Sequence, residues 1–372
     1  MHNSSTAREF SSAFADLGTF LPLALGLVVV AGVDPVGMLY GFGLFAVATG
    51  IVYRAPIPVQ PMKAVAAMGI AGLASPDVLL ATGLMLGVTL VILSCTNVIG
   101  WLKELFPKTV LHGMRLALAI SLILTVFEHA DFEPLLVMLL LGGLIAMQFS
   151  SIKSVSCLVI LVIGLFWMGD HSLWSGLDFE YAIPEYTAPS IRALHDAAFT
   201  TYLPQLALTL TNALILTSVV AHEYFPERSQ QMTEKRFALS SGLANLLLAP
   251  FGAIPMCHGA GGLSAHYGLG SRSGWSVAVF GVLCIAIAFL FGSQAVSILS
   301  MVPDEVVAAL VLYAAWVLAD PKKIVKVRPS CLIIIGLMVP LALYGGLFLA
   351  LLAGIILEFS RSKYVEPVRI QH

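Results

Sequence analysis

Ile-Pro-Val-Gln-Pro-Met occupies residues 57–62, and Ile-Pro-Met-Cys-His-Gly occupies residues 254–259, which begin 197 positions later. A second pair of segments has almost the same offset: Phe-Pro-Lys-Thr-Val at 106–110 and Val-Pro-Asp-Glu-Val at 302–306 lie 196 positions apart. Two independent matches at nearly one offset indicate an internal repeat. The chain is therefore expected to consist of two related halves.

The composition around these segments is that of a membrane protein. Hydrophobic residues make up 59% of the chain, charged residues make up 11%, and the mean hydropathy is +0.94. Soluble domains have about 45–50% apolar and about 25% charged residues. A net charge of −2 provides no basic surface for nucleic acid. We therefore exclude a soluble enzyme, a disordered protein and a nucleic-acid binder.

The apolar blocks predict an all-α polytopic membrane protein with about 14 transmembrane segments. The predicted spans 1 to 12 are 10–32, 36–53, 58–74, 77–100, 108–127, 134–149, 154–168, 198–220, 236–251, 255–268, 275–292 and 303–319, and spans 13 and 14 share 330–359. Spans of about 20 residues each would use roughly 280 residues, which leaves no room for an additional soluble domain.

Seven spans in the first half place the second half upside down, so we predict a 7+7 inverted repeat. Residues 1–168 form the first repeat, 169–196 form an extracytoplasmic linker, and 197–372 form the second repeat. With the N-terminus inside, the predicted inner segments hold sixteen Lys and Arg residues and the outer loops hold only Arg192. Because cationic loops stay cytoplasmic, both termini are expected on that side, with no cleavable signal at the N-terminus.

The proline-containing segments predict two half-helices, in spans 3 and 10. Proline removes a backbone donor and disfavours helix at the preceding residue, so an extended stretch should precede each short helix. Corresponding broken spans in the two halves are the sequence sign of a transporter binding site. Two helix N-termini that face each other inside a membrane would bind an anion. The alternative is that each proline pair only forms a kink or a loop.

Three residues at the start of span 3 are candidates for contact with substrate: Gln60, Met62 and Lys63. Lys63 is the only lysine well inside an apolar span, where a charge costs at least about 2.5–3.5 kcal/mol. It either adds positive potential near an oxyanion or forms a structural ion pair with Asp16. Gln60 offers an amide donor.

Span 10 begins with four further candidates: Cys257, His258, Gly259 and Ala260. Glycine lets the backbone approach a ligand closely. His258 could donate a hydrogen bond or carry a proton, or it could be a structural residue that caps the helix. The Cys257 thiol could contact substrate or be a small buried hydrophobe. The His and Cys residues lack metal-ligand spacing, so neither a metal nor a cofactor is expected.

Two other spans contribute candidates. Asp16 in span 1 could couple transport to protons, orient a donor or pair with Lys63, and Thr19 is a hydroxyl donor nearby. Asn212 lies in the middle of span 8, opposite span 1 in the repeat.

Three motifs resemble those of the molybdate transporter family, a branch of the sulfate permease superfamily. They are Phe-Ala-Asp-Leu-Gly-Thr-Phe-Leu-Pro at 14–22, Pro-Ile-Pro-Val-Gln-Pro-Met-Lys-Ala at 56–64, and Pro-Met-Cys-His-Gly-Ala-Gly-Gly-Leu at 255–263 with Arg-Ser-Gly at 272–274. The family commonly has Gly where this chain has Ala15. The resemblance implies molybdate uptake by a core domain (spans 1–4 and 8–11) that moves against a gate domain (spans 5–7 and 12–14).

The resulting hypothesis is a secondary-active transporter in the cell (inner) membrane that takes up molybdate with protons and could form a homodimer. A dianion that enters against an inside-negative potential costs about 4.6 kcal/mol per 100 mV, so more than two protons per molybdate would be needed. Sulfate or another tetrahedral oxyanion is the first alternative cargo. A nucleobase or aromatic-acid permease is the second, but span 8 lacks the carboxylate that nucleobase permeases place there. An anion channel is a third, and no nucleophile–base pair supports an enzyme.

Overall fold

The computed structural model describes residues 6–70, 72–99, 107–129, 132–150, 155–167, 177–319, 321–324 and 327–364. The first half contains α1 (Thr6–Ser12), α2 (Leu17–Val29), α3 (Pro35–Tyr53), β1 (Gln60–Pro61), α4 (Lys63–Ile70), α5 (Pro76–Ser94), α6 (Lys108–His129), α7 (Pro134–Gln148) and α8 (Ser156–Trp167).

The second half begins with α9 (Ile191–Tyr224), a long helix with π-helical segments at Ala198–Tyr202 and Thr209–Leu216. It continues with α10 (Glu234–Leu248), β2 (Met256–Cys257), α11 (Ala260–Gly268), α12 (Trp275–Phe291), α13 (Ala295–Leu299), α14 (Asp304–Ala319), α15 (Pro321–Ile324) and α16 (Pro329–Tyr364). The predicted junction of spans 13 and 14 lies in α16, where Gly346 has a φ of 84° and interrupts the helical geometry.

Short-range signals in the sequence explain where several helices begin. Asp34 precedes α3, and its carboxylate accepts hydrogen bonds from the Val36 and Gly37 N–H groups at 3.1 and 2.8 Å. Ser75 caps α5 through the Val78 N–H group. Proline follows each of these caps, and it is favoured at the first helical position because its N–H would have no helical partner there.

Within the described ranges, five helices are long and apolar enough to cross a membrane, and the bent pair Thr6–Leu21 and Leu23–Val29 would make six. The five are Pro35–Tyr53, Pro76–Ser94, Ile191–Tyr224, Trp275–Leu299 and Pro329–Gly346. Helices α4 and α11 have only eight and nine residues. At 1.5 Å per residue they span less than half of a hydrocarbon core about 30 Å thick, as expected for half-helices.

The helices pack in two groups. In one, α3 packs along α12 and α5 packs along α10 and α9. The α3–α12 contact depends on glycine, because a Cβ at Gly43 would lie 2.5 Å from the Gly281 carbonyl oxygen. In the other group, α6 packs against α14 and α16, and α14 also packs against α7. The half-helix α11 contacts α14, so it lies where the two groups meet.

Candidate functional site

The two proline-containing segments lie side by side. Strands β1 and β2 pair antiparallel, with Gln60 opposite Cys257 and Pro61 opposite Met256. The Met62 N–H group donates to the Pro255 carbonyl at 2.9 Å. Because β1 leads into α4 and β2 leads into α11, both half-helices begin beside this two-stranded sheet. Segments almost 200 residues apart in sequence therefore form one structural unit.

Asn245 on α10 holds β2 in place. Its side-chain nitrogen donates to the Met256 carbonyl at 2.7 Å, and its oxygen accepts the Met256 N–H at 2.9 Å. A strand at the edge of such a small sheet leaves backbone groups unpaired, and here a side chain satisfies them. Sequence reasoning missed Asn245, and its only signal was an amide within an apolar span.

Asp16 contacts Gln60. The Gln60 amide nitrogen lies 2.9 and 2.7 Å from the two carboxylate oxygens, and both side chains are buried. The Thr19 hydroxyl also interacts with this carboxylate. The amide donor that we expected to face substrate is therefore directed at Asp16 in this structure.

Glycines on α11 make room for this pair. A Cβ at Gly262 would collide with the Asp16 carboxylate and would lie 2.5 Å from the Gln60 amide nitrogen. A Cβ at Gly259 would collide with the Gln60 side-chain oxygen. The close approach therefore depends on glycine at both positions.

Lys63 is the first residue of α4, and its side chain is partly buried. In the described part of the chain, no contact ion pair joins Lys63 to Asp16, because Asp16 is hydrogen-bonded to Gln60 instead. The Lys63 charge still attracts the Asp16 carboxylate without direct contact. Of the two roles that the sequence offered, the structure does not form the direct pair, and the long-range contribution to positive potential remains a prediction.

The N-termini of the two half-helices differ. In α4, the Gln205 side-chain oxygen accepts hydrogen bonds from the Ala64 and Val65 N–H groups at 2.9 and 3.4 Å. In α11, Gly259 is the N-cap and provides no side chain. The N–H groups of residues 260–262 have no hydrogen-bond partner among the described residues, and all three residues are buried. Sequence reasoning missed Gln205.

His258 lies close to the sheet, but both of its ring nitrogens contact protein. Nδ1 lies 3.0 Å from the Pro58 carbonyl oxygen and Nε2 lies 2.8 Å from the Ser240 hydroxyl. Since a carbonyl only accepts, Nδ1 donates to Pro58, and in a neutral imidazole Nε2 then accepts from Ser240. Aromatic rings of Phe45, Tyr53 and Phe237 surround the imidazole, which is fully buried. This geometry fits the structural alternative for His258.

The remaining candidates are also buried. Ala260 begins α11, Met62 lies at the start of α4, and Cys257 lies opposite Gln60. Asn212 is in the π-helical segment Thr209–Leu216, which packs against α11. Its side-chain oxygen has no hydrogen-bond partner among the described residues. Such π-bulges are frequent at functional sites.

Two further polar contacts join elements that are distant in sequence. The Glu9 carboxylate on α1 accepts from the Ser271 hydroxyl and from two backbone N–H groups, those of Arg272 and Ser273, at 2.8–3.1 Å. These residues follow α11 and overlap the third sequence motif. Arg115 on α6 forms an ion pair of 2.7 Å with Glu223 near the end of α9.

Comparison with known proteins identifies the family of this chain. The family model described as "Molybdate transporter of MFS superfamily" matches residues 8–122 and 197–318, which include all three motifs. The chain belongs to the molybdate transporter family. This confirms the resemblance that the motifs indicated.

Curated relatives share the same description. Molybdate transporter 2 of Arabidopsis thaliana is 27% identical over 367 residues, which cover 85% of this chain and 78% of that protein. Molybdate transporter 1 of Chlamydomonas reinhardtii is 26% identical over 438 residues, which cover 85% and 83% of the two chains.

Solved structures show the fold. The transmembrane domain of the cyanobacterial bicarbonate transporter BicA has a TM-score of 0.56 and 17% identity, and covers 96% of this chain and 98% of that one. Murine solute carrier 26 family member A9, an anion transporter in the inward-facing state, has a TM-score of 0.64 and 11% identity, with coverage of 98% and 69%. The protein thus has a helical membrane-transporter fold.

Proposed function

We propose that this protein is a secondary-active transporter that takes up molybdate and binds it between the N-termini of α4 and α11. The observation that carries the proposal is the set of three buried N–H groups at residues 260–262, which begin a helix beside the start of a second half-helix. Helix N-termini are anion sites, because their N–H groups and the positive end of the dipole face the ligand. The molybdate transporters among the relatives support this cargo.

The surroundings of these N–H groups suit an oxyanion. Residues 259–262 are Gly, Ala, Gly and Gly, so no large side chain of their own covers the N–H groups. The Lys63 charge adds positive potential from the start of α4. Gly261 is near Leu122 of α6, since a Cβ at Gly261 would lie 3.3 Å from a Leu122 methyl group. The proposed site therefore lies next to a helix of the second packing group.

The packing supports the 7+7 inverted repeat with 14 spans. The offset of 197 residues maps α3 onto α10 and α5 onto α12. The α3–α12 contact therefore has a counterpart in the other repeat, which is the contact between α10 and α5. In the proposed arrangement, residues 1–168 and 197–372 are the two repeats, with 169–196 as the extracytoplasmic linker.

The two packing groups also support a division into moving parts. Spans 1–4 and 8–11 would form the core domain, and spans 5–7 and 12–14 would form the gate domain, to which α6, α14 and α16 belong. Since Leu122 of the gate faces the start of α11, movement between the two domains would expose the site to one side and then the other. Both termini would be cytoplasmic, in the cell (inner) membrane.

The energetics of dianion uptake and the position of Asp16 support proton coupling. Two negative charges that move inward against 100 mV cost about 4.6 kcal/mol, which co-transported protons would offset. Asp16 is the carboxylate beside α11 and its contact with Gln60 places it next to the proposed site. We propose it as the group that takes up and releases a proton.

Uptake of radiolabelled molybdate by the purified protein in liposomes tests these proposals. We expect saturable uptake that an acidic exterior accelerates, with inhibition by tungstate and none by uracil. If sulfate outcompetes molybdate at equal concentration, the assigned cargo is wrong. Current that does not saturate would instead identify an anion channel.

A further inference from the structure

Gln205 is a buried amide whose polar atoms are all used at the proposed site. It lies on α9 and is 1% exposed. Its oxygen accepts the Ala64 and Val65 N–H groups of α4, and its nitrogen donates to the Thr209 hydroxyl at 3.0 Å. These contacts hold the amide at the N-terminus of a half-helix that is 140 residues away in sequence.

Because of the Gln205 contacts, the N-termini of α4 and α11 differ in how far their N–H groups are already hydrogen-bonded. An anion at α4 would compete with the Gln205 oxygen for the Ala64 and Val65 N–H groups. At α11 the N-cap is Gly259, and among the described residues no side chain accepts a hydrogen bond from the N–H groups of residues 260–262. A bound oxyanion would therefore take its hydrogen bonds from residues 260–262 and experience α4 mainly through its dipole and the Lys63 charge.

The side chain of Gln205 carries no charge, and this affects the electrostatic potential at the proposed anion site. A glutamate would fit the same space and its carboxylate would accept the same two N–H groups more strongly, because negative charge is favoured at a helix N-terminus. The Thr209 hydroxyl could then donate to the second carboxylate oxygen. However, the added negative charge would cancel the positive potential that α4 and Lys63 direct at an anion.

We propose that Gln205 is a positioning residue that sets the charge selectivity of the oxyanion site. Its neutral amide caps the N-terminus of α4 without adding negative charge, so the site stays favourable for a dianion. The proposal rests on the proposed function. The proposed role differs from that of a purely structural cap, because a structural cap would tolerate any side chain that preserves the two hydrogen bonds.

Gln205→Glu tests the proposal in the liposome assay. Tungstate, a dianion, and perrhenate, a monoanion of the same tetrahedral shape, are the two competitors of molybdate uptake. The repulsion from a nearby charge scales with the charge of the ligand. We expect the KM for molybdate to rise at least tenfold, and inhibition by tungstate to weaken at least tenfold more than inhibition by perrhenate.

Gln294→Glu is the matched control, because the Gln294 side-chain oxygen also accepts a backbone N–H group, that of Asp178, at 3.0 Å on the exposed surface. We expect it to transport like the unmodified protein. Gln205→Met removes the acceptor without adding charge, so the preference for tungstate over perrhenate should stay the same or increase. Thermal unfolding of each variant establishes that it is folded.

The outcomes separate the two proposals. If the unmodified protein shows no saturable molybdate uptake, the proposed function fails. If it transports but folded Gln205→Glu keeps the same KM and the same selectivity, Gln205 is only a structural cap and this inference fails. A reduced preference for tungstate in Gln205→Met would also overturn it, even if Gln205→Glu does not fold.

Discussion

Gly262→Ala should disrupt the Asp16–Gln60 contact. The added Cβ would lie 2.5 Å from the Gln60 amide nitrogen and 2.6 Å from the Asp16 carboxyl carbon, whereas real Cβ contacts are essentially never below 3.0 Å. Neither neighbour can move into free space, because Asp16 is 7% exposed and Gln60 is 2% exposed. The substitution therefore either shifts α11 or separates the buried pair.

The free-energy cost follows from these contacts. Overpacking in a tight interior costs about 1–3 kcal/mol. Loss of a hydrogen bond to a charged group adds about 1.5–3 kcal/mol. Replacing glycine by alanine within a helix returns about 0.5–1 kcal/mol. We expect the free energy of unfolding to fall by roughly 2–5 kcal/mol, together with loss of molybdate uptake.

Thermal unfolding in detergent and liposome uptake measure the two effects. Gly142→Ala on α7 is the matched control, because a Cβ there meets no atom within 4 Å. It should leave uptake unchanged and slightly raise the unfolding temperature. Unaltered stability and uptake in Gly262→Ala would refute the close approach of α11 to the Asp16–Gln60 pair.

Three further substitutions test other contacts. Asn245→Ala leaves both backbone groups of Met256 unpartnered, so unfolding should become easier by about 2–4 kcal/mol in chemical denaturation, with uptake strongly reduced. Glu9→Gln weakens three hydrogen bonds, and hydrogen exchange should become faster in the amides of residues 272 and 273. A double-mutant cycle of Arg115→Met and Glu223→Gln should give a coupling of about 0.5–3 kcal/mol, since the two side chains are in contact.

Each of these three predictions has its own contrary result. Asn245→Ala with native stability would mean that water replaces the amide without cost. Unchanged exchange at residues 272 and 273 would remove Glu9 from the support of that loop. A coupling energy near zero would show that the Arg115–Glu223 contact contributes little to stability although Arg115 is buried.

Local signals in the sequence predicted much of the fold. Prolines at 58, 61 and 255 prevent regular helix, and the structure places extended strands there, each followed by a short helix. The apolar blocks predicted the long helices, and the three motifs predicted the family. These features follow from constraints within a few neighbouring residues, which is why one sequence was enough to read them.

The hydrogen-bond partners of the polar residues could not be predicted from such local signals. Pairing with Lys63 was one of the roles that the sequence left open for Asp16. In the structure Asp16 contacts Gln60 instead, because the antiparallel pairing of β1 with β2 brings Gln60 close to the glycines of α11. Gln205 gave no signal beyond being an amide in an apolar span. Its hydrogen bonds with α4 arise only from the packing of α9 on α4.

The sequence by itself determined that the protein is helical and membrane-embedded, that it belongs to the molybdate transporters, and that two broken segments recur nearly 200 residues apart. Only the tertiary structure decided which side chains satisfy the backbone where the helices break, and hence which N–H groups have no partner among the described residues. The physical reason is that a break in a helix is a local property of proline and glycine, whereas the partner of each exposed backbone group comes from whichever distant helix packs against it.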